Sequence, residues 1–142
     1  MIVVTGGAGF IGTNLVRSLL KMNKKVLIVE ELNKYTRKFE NIKNLNILDC
    51  IDHNVFLKNL ENDKYTKQIE YVFHLGACSK TTEPDRDYIM DVNLNYSKKL
   101  LMYCANYNID IIYASSASVY GDGNKFKEES INESSLNHYS ES

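Results

Sequence analysis

The 142-residue chain has a single proline and only three cysteines, and its 17 basic and 18 acidic residues leave a formal net charge of −1. Cys50, Cys78 and Cys104 are odd in number, far apart and without a C-x-x-C pair. That pattern speaks against a disulfide framework and against a zinc site, so no metal is expected, and it fits a reducing cytoplasm. No long basic block is present, and neither nucleic acid nor an anionic membrane is an expected partner. The apolar N-terminus has no basic stretch before it, and Gly6, Gly7, Gly9 and Gly12 interrupt it long before membrane-spanning length. It therefore reads as the first strand of the mature fold. Internal repeats, low-complexity tracts and Pro/Gly-rich linkers are also missing, and the length suits one domain with its own core.

What is present alternates. Residues 2–4 form a short β-branched run, after which Ile11, Leu15, Val16, Leu19 and Leu20 recur at helical spacing. Residues 26–29 are an unbroken apolar run, the pattern of a strand buried on both faces, as in a parallel sheet. Residues 33–43 are polar and carry Lys34, Arg37, Lys38 and Lys43, which predicts a connecting loop before a weak strand at 45–48. Val55, Phe56 and Leu60 predict a short helix, residues 69–75 a strand and Gly76-Ala77 a turn; Pro84 lies in the next loop. A long helix is expected over 87–106, with Ile89, Val92, Tyr96, Leu100 and Tyr103 on one face, and a fifth strand over 109–114. The alternation predicts right-handed crossovers and a doubly wound parallel α/β sheet, a Rossmann dinucleotide-binding fold.

The stretch TGGAGFIG, residues 5–12, places Gly6, Gly9 and Gly12 between a strand and a helix. A tight strand-to-helix turn needs unusual φ values, and a Cβ would keep a pyrophosphate from the backbone N–H groups at the helix mouth. Glu30 closes the second strand 18 residues after Gly12, where an acidic side chain can accept hydrogen bonds from ribose hydroxyls. Dinucleotide binding follows. Glu30 and Glu31 would repel a 2′-phosphate while Arg37 and Lys38 could bind one, so these residues leave NAD and NADP both open.

At the other end of the chemistry, YASSASVYG over 113–121 follows the fifth strand, which puts the Ser115 and Ser116 hydroxyls at the carboxyl end of the sheet, where ligands of such folds bind. Tyr139 follows at a separation that allows its hydroxyl to converge on the same substrate. With the glycine turn, FHLGA at 73–77, Asn93, SSASVYG at 115–121 and Tyr139, the chain resembles the extended short-chain dehydrogenase/reductases along essentially all of its length. The resemblance implies that Ser116 bonds the reacting oxygen and that Tyr139 is the catalytic base of a Y-x-x-x-K motif. A free tyrosine titrates near 10, and the motif's lysine supplies the positive charge that lowers it. Residues 139–142 fill four of those five positions, so the chain is expected to be the N-terminal, cofactor-binding piece of a longer enzyme. It would lack that lysine and the substrate domain and would be inactive by itself.

Within that family, GACSKTTE and YSKKLLMYC inside 73–104, with ASSASVYG and LNHY, are similar to the heptose 6-epimerase branch. This likeness implies inversion at C6 of ADP-heptose through a 6-keto intermediate with NADP, for the inner core of lipopolysaccharide, in a cytoplasmic homo-oligomer. It places Lys38 beside the acidic pair as a cofactor-binding residue, Asn46 and Ile47 along the adenine, and Phe10 and Ile11 along the pyrophosphate. Leu75, Gly76, Ala77, Cys78 and Ser79 would lie along the middle of the cofactor, with Asn93 supporting the site. Cys78 and His74 read as packed side chains rather than as catalysts. Leu75 and Glu141 depart from residues common at their positions in the branch. The rival readings are another nucleotide-sugar 4-epimerase or 4,6-dehydratase, since the same turn, serine and tyrosine serve both, and a nicotinamide-sensing module without catalysis.

Overall fold

The computed structural model describes residues 1–31, 38–65 and 67–142, so Lys34 and Arg37 of the basic stretch lie outside the described residues. Two compact units are present. The first, Met1–Gly76 with Lys99–Ala114, holds the whole sheet. Its strands are β1 (Ile2–Thr5), β2 (Val26–Val29), β3 (Asp49–Ile51), β4 (Tyr71–His74) and β5 (Asp110–Tyr113), all parallel in the order β3-β2-β1-β4-β5. The parallel α/β sheet is the one expected. Central β1 and its neighbour β2 are buried at every position, whereas β3 and β5, which begin with Asp49 and Asp110, lie at the edges with more exposed residues.

Because side chains alternate across a strand, Ile2, Val4, Val26 and Ile28 share one face, where they pack with Val16 and Leu19 of α1 (Phe10–Lys21) and with Ile42 of α2 (Lys38–Ile42). Val3, Leu27 and Val72 point the other way and are equally buried. Burial on both faces is what the unbroken apolar runs require. The remaining helices of this unit are α3 (His53–Glu61) and most of α5 (Tyr96–Asn106).

Three of these helices stop in the same way. Asn23, Asp63 and Asn108 adopt left-handed φ values of 56°, 53° and 52° just past α1, α3 and α5. In each case the next residue's N–H reaches back to a last-turn carbonyl, Lys24 to Leu19, Lys64 to Asn59 and Ile109 to Cys104, at 2.8–3.0 Å. This is the Schellman closure, built on Asn and Asp, the non-glycine residues that best tolerate that conformation.

The second unit, Ala77–Lys98 with Ser115–Ser142, contains α4 (Arg86–Ile89), a π-helical stretch Met90–Asn95, the start of α5, the 3₁₀ turns Ala117–Tyr120 and Ser130–Asn132, and α6 (His138–Glu141). Its long excursion is closed at the neck: the Ser134 N–H donates to the Val119 carbonyl at 2.7 Å, and a Cβ on Gly121 would lie 1.9 Å from the Ser134 carbonyl oxygen.

Three expectations need correction. The strand placed at 45–48 lies at Asp49–Ile51, because Leu45 and Ile47 turn into the core and pairing with β2 begins only where Leu48 N–H reaches Val26. The loop over 33–43 contains α2. The long helix is interrupted by the π turn, whose extra residue re-aims the side chains, so Asn93 rather than Val92 joins Ile89, Tyr96 and Leu100 as a buried residue.

At the carboxyl ends of β1 and β4, the Thr5 hydroxyl accepts the N–H groups of Leu75 and Gly76 at 3.1 and 2.9 Å and lies 2.6 Å from His74 Nδ1. With both lone pairs used, its proton goes to Nδ1, so the imidazole is neutral with its hydrogen on Nε2. Burial holds His74 in that state, pushing its pKa down to about 4. An unfolded histidine titrates near 6.5. The stabilisation is therefore complete above that value, declines as pH falls below it, and is gone near 4. In denaturant titrations, lowering the pH from 7 to 4.5 is expected to cost the wild type about 2 kcal/mol more than it costs His74→Gln; equal losses would show that His74 is not held neutral.

Candidate active site

The glycine turn separates positions the fold demands from one it does not. Gly6 has φ +66°, and a Cβ there would lie 2.8 Å from the Gly76 Cα and N; a Cβ on Gly12 would lie 2.2 Å from the Gly6 carbonyl oxygen. Both are required by the polypeptide itself. Gly9 is different. Its φ of −72° is ordinary, and a Cβ there would meet only the Gly6 oxygen at 3.2 Å, with open space otherwise. Its missing side chain keeps that surface clear, as close approach by a pyrophosphate requires.

Gly9 precedes α1, whose first turn has no side-chain cap and no acidic residue, while Asp52, Asp85 and Asn137 cap α3, α4 and α6. The N–H groups and positive dipole end of this 12-residue helix thus face outward at the turn. Phe10 and Ile11 stand exposed beside them, at 86% and 70%.

Glu30 is buried at the end of β2, and burying a carboxylate is costly unless it is paired. Its partners are the Ala8 N–H at 3.2 Å, inside the glycine turn, and the Lys38 ammonium at 2.9 Å. Lys38 sits at the start of α2 with its side chain about half exposed. One helical step on, Asn41 donates to the Ala8 carbonyl at 3.0 Å, so α2 grips the turn from a second point. The sequence reading missed Asn41 because it took this stretch for a loop; the i, i+3 spacing to Lys38 was the available signal. Glu31 and Asn46 are exposed, and Ile47 packs against the core. Leu75 also leans on the core, and Gly76 backs onto Gly6.

In the second unit, Asn93 clamps the backbone of Cys78, accepting its N–H at 2.8 Å and donating to its carbonyl at 3.1 Å, and its amide also reaches the Ser142 hydroxyl at 2.9 Å. Ser142 in turn donates to the Tyr139 carbonyl at 2.9 Å. Ala77 and Ser79, on either side of the clamped residue, are exposed. Tyr139 lies half-buried in α6, which packs against the 3₁₀ turn Ala117–Tyr120. Ser116 begins that turn by accepting the Ser118 N–H at 3.2 Å, a bond that uses one lone pair of its oxygen and does not engage its hydroxyl proton.

Glu141, one of the departures from the heptose branch, is gripped by both nitrogens of an Arg86 fork. The pairing holds the Glu141 carboxyl below the usual range. Burial pushes the Cys50 and Cys104 thiols up to about 11, so neither is a nucleophile at neutral pH. Among the described residues no cluster of three or more His, Cys, Asp or Glu could hold a metal ion, and no helix is long and apolar enough to cross a membrane.

The model of the NAD dependent epimerase/dehydratase family matches residues 2–142. The chain belongs to that family. Among solved structures, it is similar to the ADP-L-glycero-D-manno-heptose-6-epimerase of Helicobacter pylori, with 30% identity and a TM-score of 0.82 over 98% of this chain and 46% of that one. It is similar as well to the UDP-N-acetylglucosamine 4-epimerase of Methanobrevibacter ruminantium in complex with UDP-N-acetylmuramic acid, with 33% identity and a TM-score of 0.80 over 99% of this chain and 46% of that one. A third is the UDP-glucose 4-epimerase of Thermotoga maritima with UDP-glucose, with 30% identity and a TM-score of 0.74 over 87% and 40%. The chain thus spans under half the length of these structures.

For a member of the epimerase/dehydratase family, which is NAD(P)-dependent, the turn at Gly9 fits a dinucleotide, and its side-chain-free surface can be tested directly. Gly9→Val is expected to fold and melt near the wild type while dinucleotide affinity, measured by calorimetry, drops at least tenfold, because the added methyls fill the space for the pyrophosphate. Gly12→Val should instead lower the melting temperature sharply. If Gly9→Val binds normally, the phosphate does not sit on this turn.

Proposed function

We propose that the chain provides the cofactor-binding and catalytic portion of an ADP-heptose 6-epimerase, with NADP as cofactor. The observation that carries the reading is the second unit's packing of the Tyr139 helix on the turn begun by Ser116, whose bond to Ser118 does not engage the serine proton. The heptose assignment draws on the likeness over 73–104 and on the similarity to the Helicobacter enzyme. The UDP-N-acetylglucosamine 4-epimerase, at 33% identity, supports a second reading as a UDP-hexose 4-epimerase.

Gly9, the first turn of α1, Glu30 and Lys38 would hold the dinucleotide, which supplies a hydride acceptor that later becomes a donor. Lys38, half exposed beside Glu30, favours the 2′-phosphorylated form in this reading. Ser116 donates its hydroxyl proton to the reacting oxygen and fixes its position. Tyr139 takes the proton of the C6 hydroxyl as that carbon is oxidised and returns it when the opposite face is reduced, so the stereocentre inverts with no net redox change. The product would feed the inner core of lipopolysaccharide in the cytoplasm, and the full-length enzyme would be a homo-oligomer.

The test uses this chain at the full length of the epimerases it matches, supplied separately with ADP-D-glycero-D-manno-heptose, UDP-glucose and UDP-N-acetylglucosamine. Inversion of the heptose alone is expected; turnover of a UDP-sugar alone would establish the second reading. Tyr139→Phe should cut turnover by about 10²–10⁴-fold with dinucleotide affinity nearly unchanged, and full turnover in that variant would remove Tyr139 from the mechanism.

A further inference from the structure

Helix α6 has only four residues, His138–Glu141, and carries Tyr139. A single turn does not hold itself together in water, since nucleation is unfavourable and only tertiary contacts can offset it. Its N-terminal end is closed locally: the Asn137 side chain accepts the Ser140 N–H at 2.9 Å while the Ser140 hydroxyl accepts the Asn137 N–H at 3.1 Å. Its C-terminal end is held by two longer backbone bonds, Glu141 N–H to Asn137 and Ser142 N–H to His138, each at 3.2 Å, and by the Ser142 hydroxyl, which donates to the Tyr139 carbonyl at 2.9 Å. Two side chains from other helical segments also grip this end: Asn93, through the Ser142 hydroxyl, and Arg86 of α4, 55 residues upstream, which donates to Glu141 through Nε at 3.0 Å and through Nη2.

A two-point fork fixes orientation as well as distance, which a single lysine contact would not. Within the helix, His138 Nδ1 lies 3.9 Å from the same carboxylate, a contact that adds attraction only when the imidazole is protonated. Asp87 follows Arg86 on α4 and Lys80 pairs with Glu83 nearby in sequence, so among the described residues Arg86 is the cation that engages Glu141 from outside α6.

We propose that the Arg86–Glu141 pair is a latch that orients the helical turn bearing Tyr139, which makes Arg86 and Glu141 positioning residues for the reaction. The inference rests on the reading of Tyr139 as the base. A substitution of either partner leaves the end of the turn gripped from other helical segments by the Asn93–Ser142 contact alone, loosens it and lets the tyrosine ring sample unproductive orientations, without removing a group that touches the substrate. Exposed ion pairs are modest, and the effect expected is correspondingly modest.

In the present chain, Arg86→Gln and Glu141→Gln should each speed hydrogen exchange at the Glu141 and Ser142 amides by about two- to fivefold, leaving exchange in β1 and β2 unchanged. At full length, with ADP-D-glycero-D-manno-heptose, each variant should lose about two- to fivefold in kcat with KM unchanged. The charge-swapped double variant Arg86→Glu with Glu141→Arg should recover most of the loss in both measurements. Unchanged exchange and kcat in the single variants, or a swap that recovers neither, would overturn the latch. If Tyr139→Phe turns over normally, the reading of the base has failed instead, and the exchange measurement still decides whether the pair orders the turn.

Discussion

The first unit is built around the close approach of two glycines from neighbouring strands. Gly6 leaves β1 and Gly76 follows β4, and their backbones come so near that neither could carry a Cβ without meeting the other at under 3 Å. Between them stands Thr5, whose single hydroxyl bonds the N–H groups of Leu75 and Gly76 and the ring of His74. A side chain without a hydroxyl would leave the Gly76 N–H without this partner and His74 Nδ1 without its donor, each a buried polar loss of about 1–3 kcal/mol. The crevice at the switch point between β1 and β4 therefore has a fixed wall, and the glycine turn that opens into it inherits that rigidity.

Glycine is scarce in this chain, and its placement shows a division of labour. Four of the seven glycines lie in the first turn and a fifth, Gly76, faces it. The helix ends, where glycine is the usual solution, use Asn23, Asp63 and Asn108 instead. These residues tolerate left-handed backbone imperfectly, so the helix ends carry a small strain that the Schellman bonds offset. Close approach of main chain to main chain, or of main chain to phosphate, has no such substitute, because there it is the Cβ itself that must be missing.

Much of this arrangement was legible in the sequence, and what was not has physical reasons. Continuous apolar runs at 26–29 and the glycine turn announced a parallel sheet because burial on both faces and close backbone approach each demand a narrow set of residues. The third strand was misplaced because Leu45 and Ile47 satisfy the alternation of a strand while serving as core anchors of a turn. Helix α2 was missed because five residues give no period to detect, and its contribution, Asn41 on the Ala8 carbonyl, is visible only in three dimensions. The π turn at Met90–Asn95 is hidden for a related reason: one added residue shifts the phase of the helix, so a polar Asn93 occupies a buried position where the pattern points to Val92. Its burial is tolerated because both ends of its amide are bonded.

The charge at the end of β2 shows how burial changes the question that sequence poses. Read linearly, Glu30 and Lys38 are opposing votes on whether a 2′-phosphate is welcome. Folded, they are one ion pair, with Glu30 buried and Lys38 half exposed, and the carboxylate is held further by the Ala8 N–H of the glycine turn. Paired in this way, Glu30 presents little net charge to a ligand, and the exposed Glu31 is left as the repelling group. A phosphate arriving at this end competes with Glu30 for the same ammonium. Glu30 accepts the Ala8 N–H as well as the Lys38 ammonium, so loss of the lysine would leave the buried carboxylate with a backbone partner rather than bare. The charge at this end of β2 is thus set by pairing, which a count of acidic and basic residues could not express.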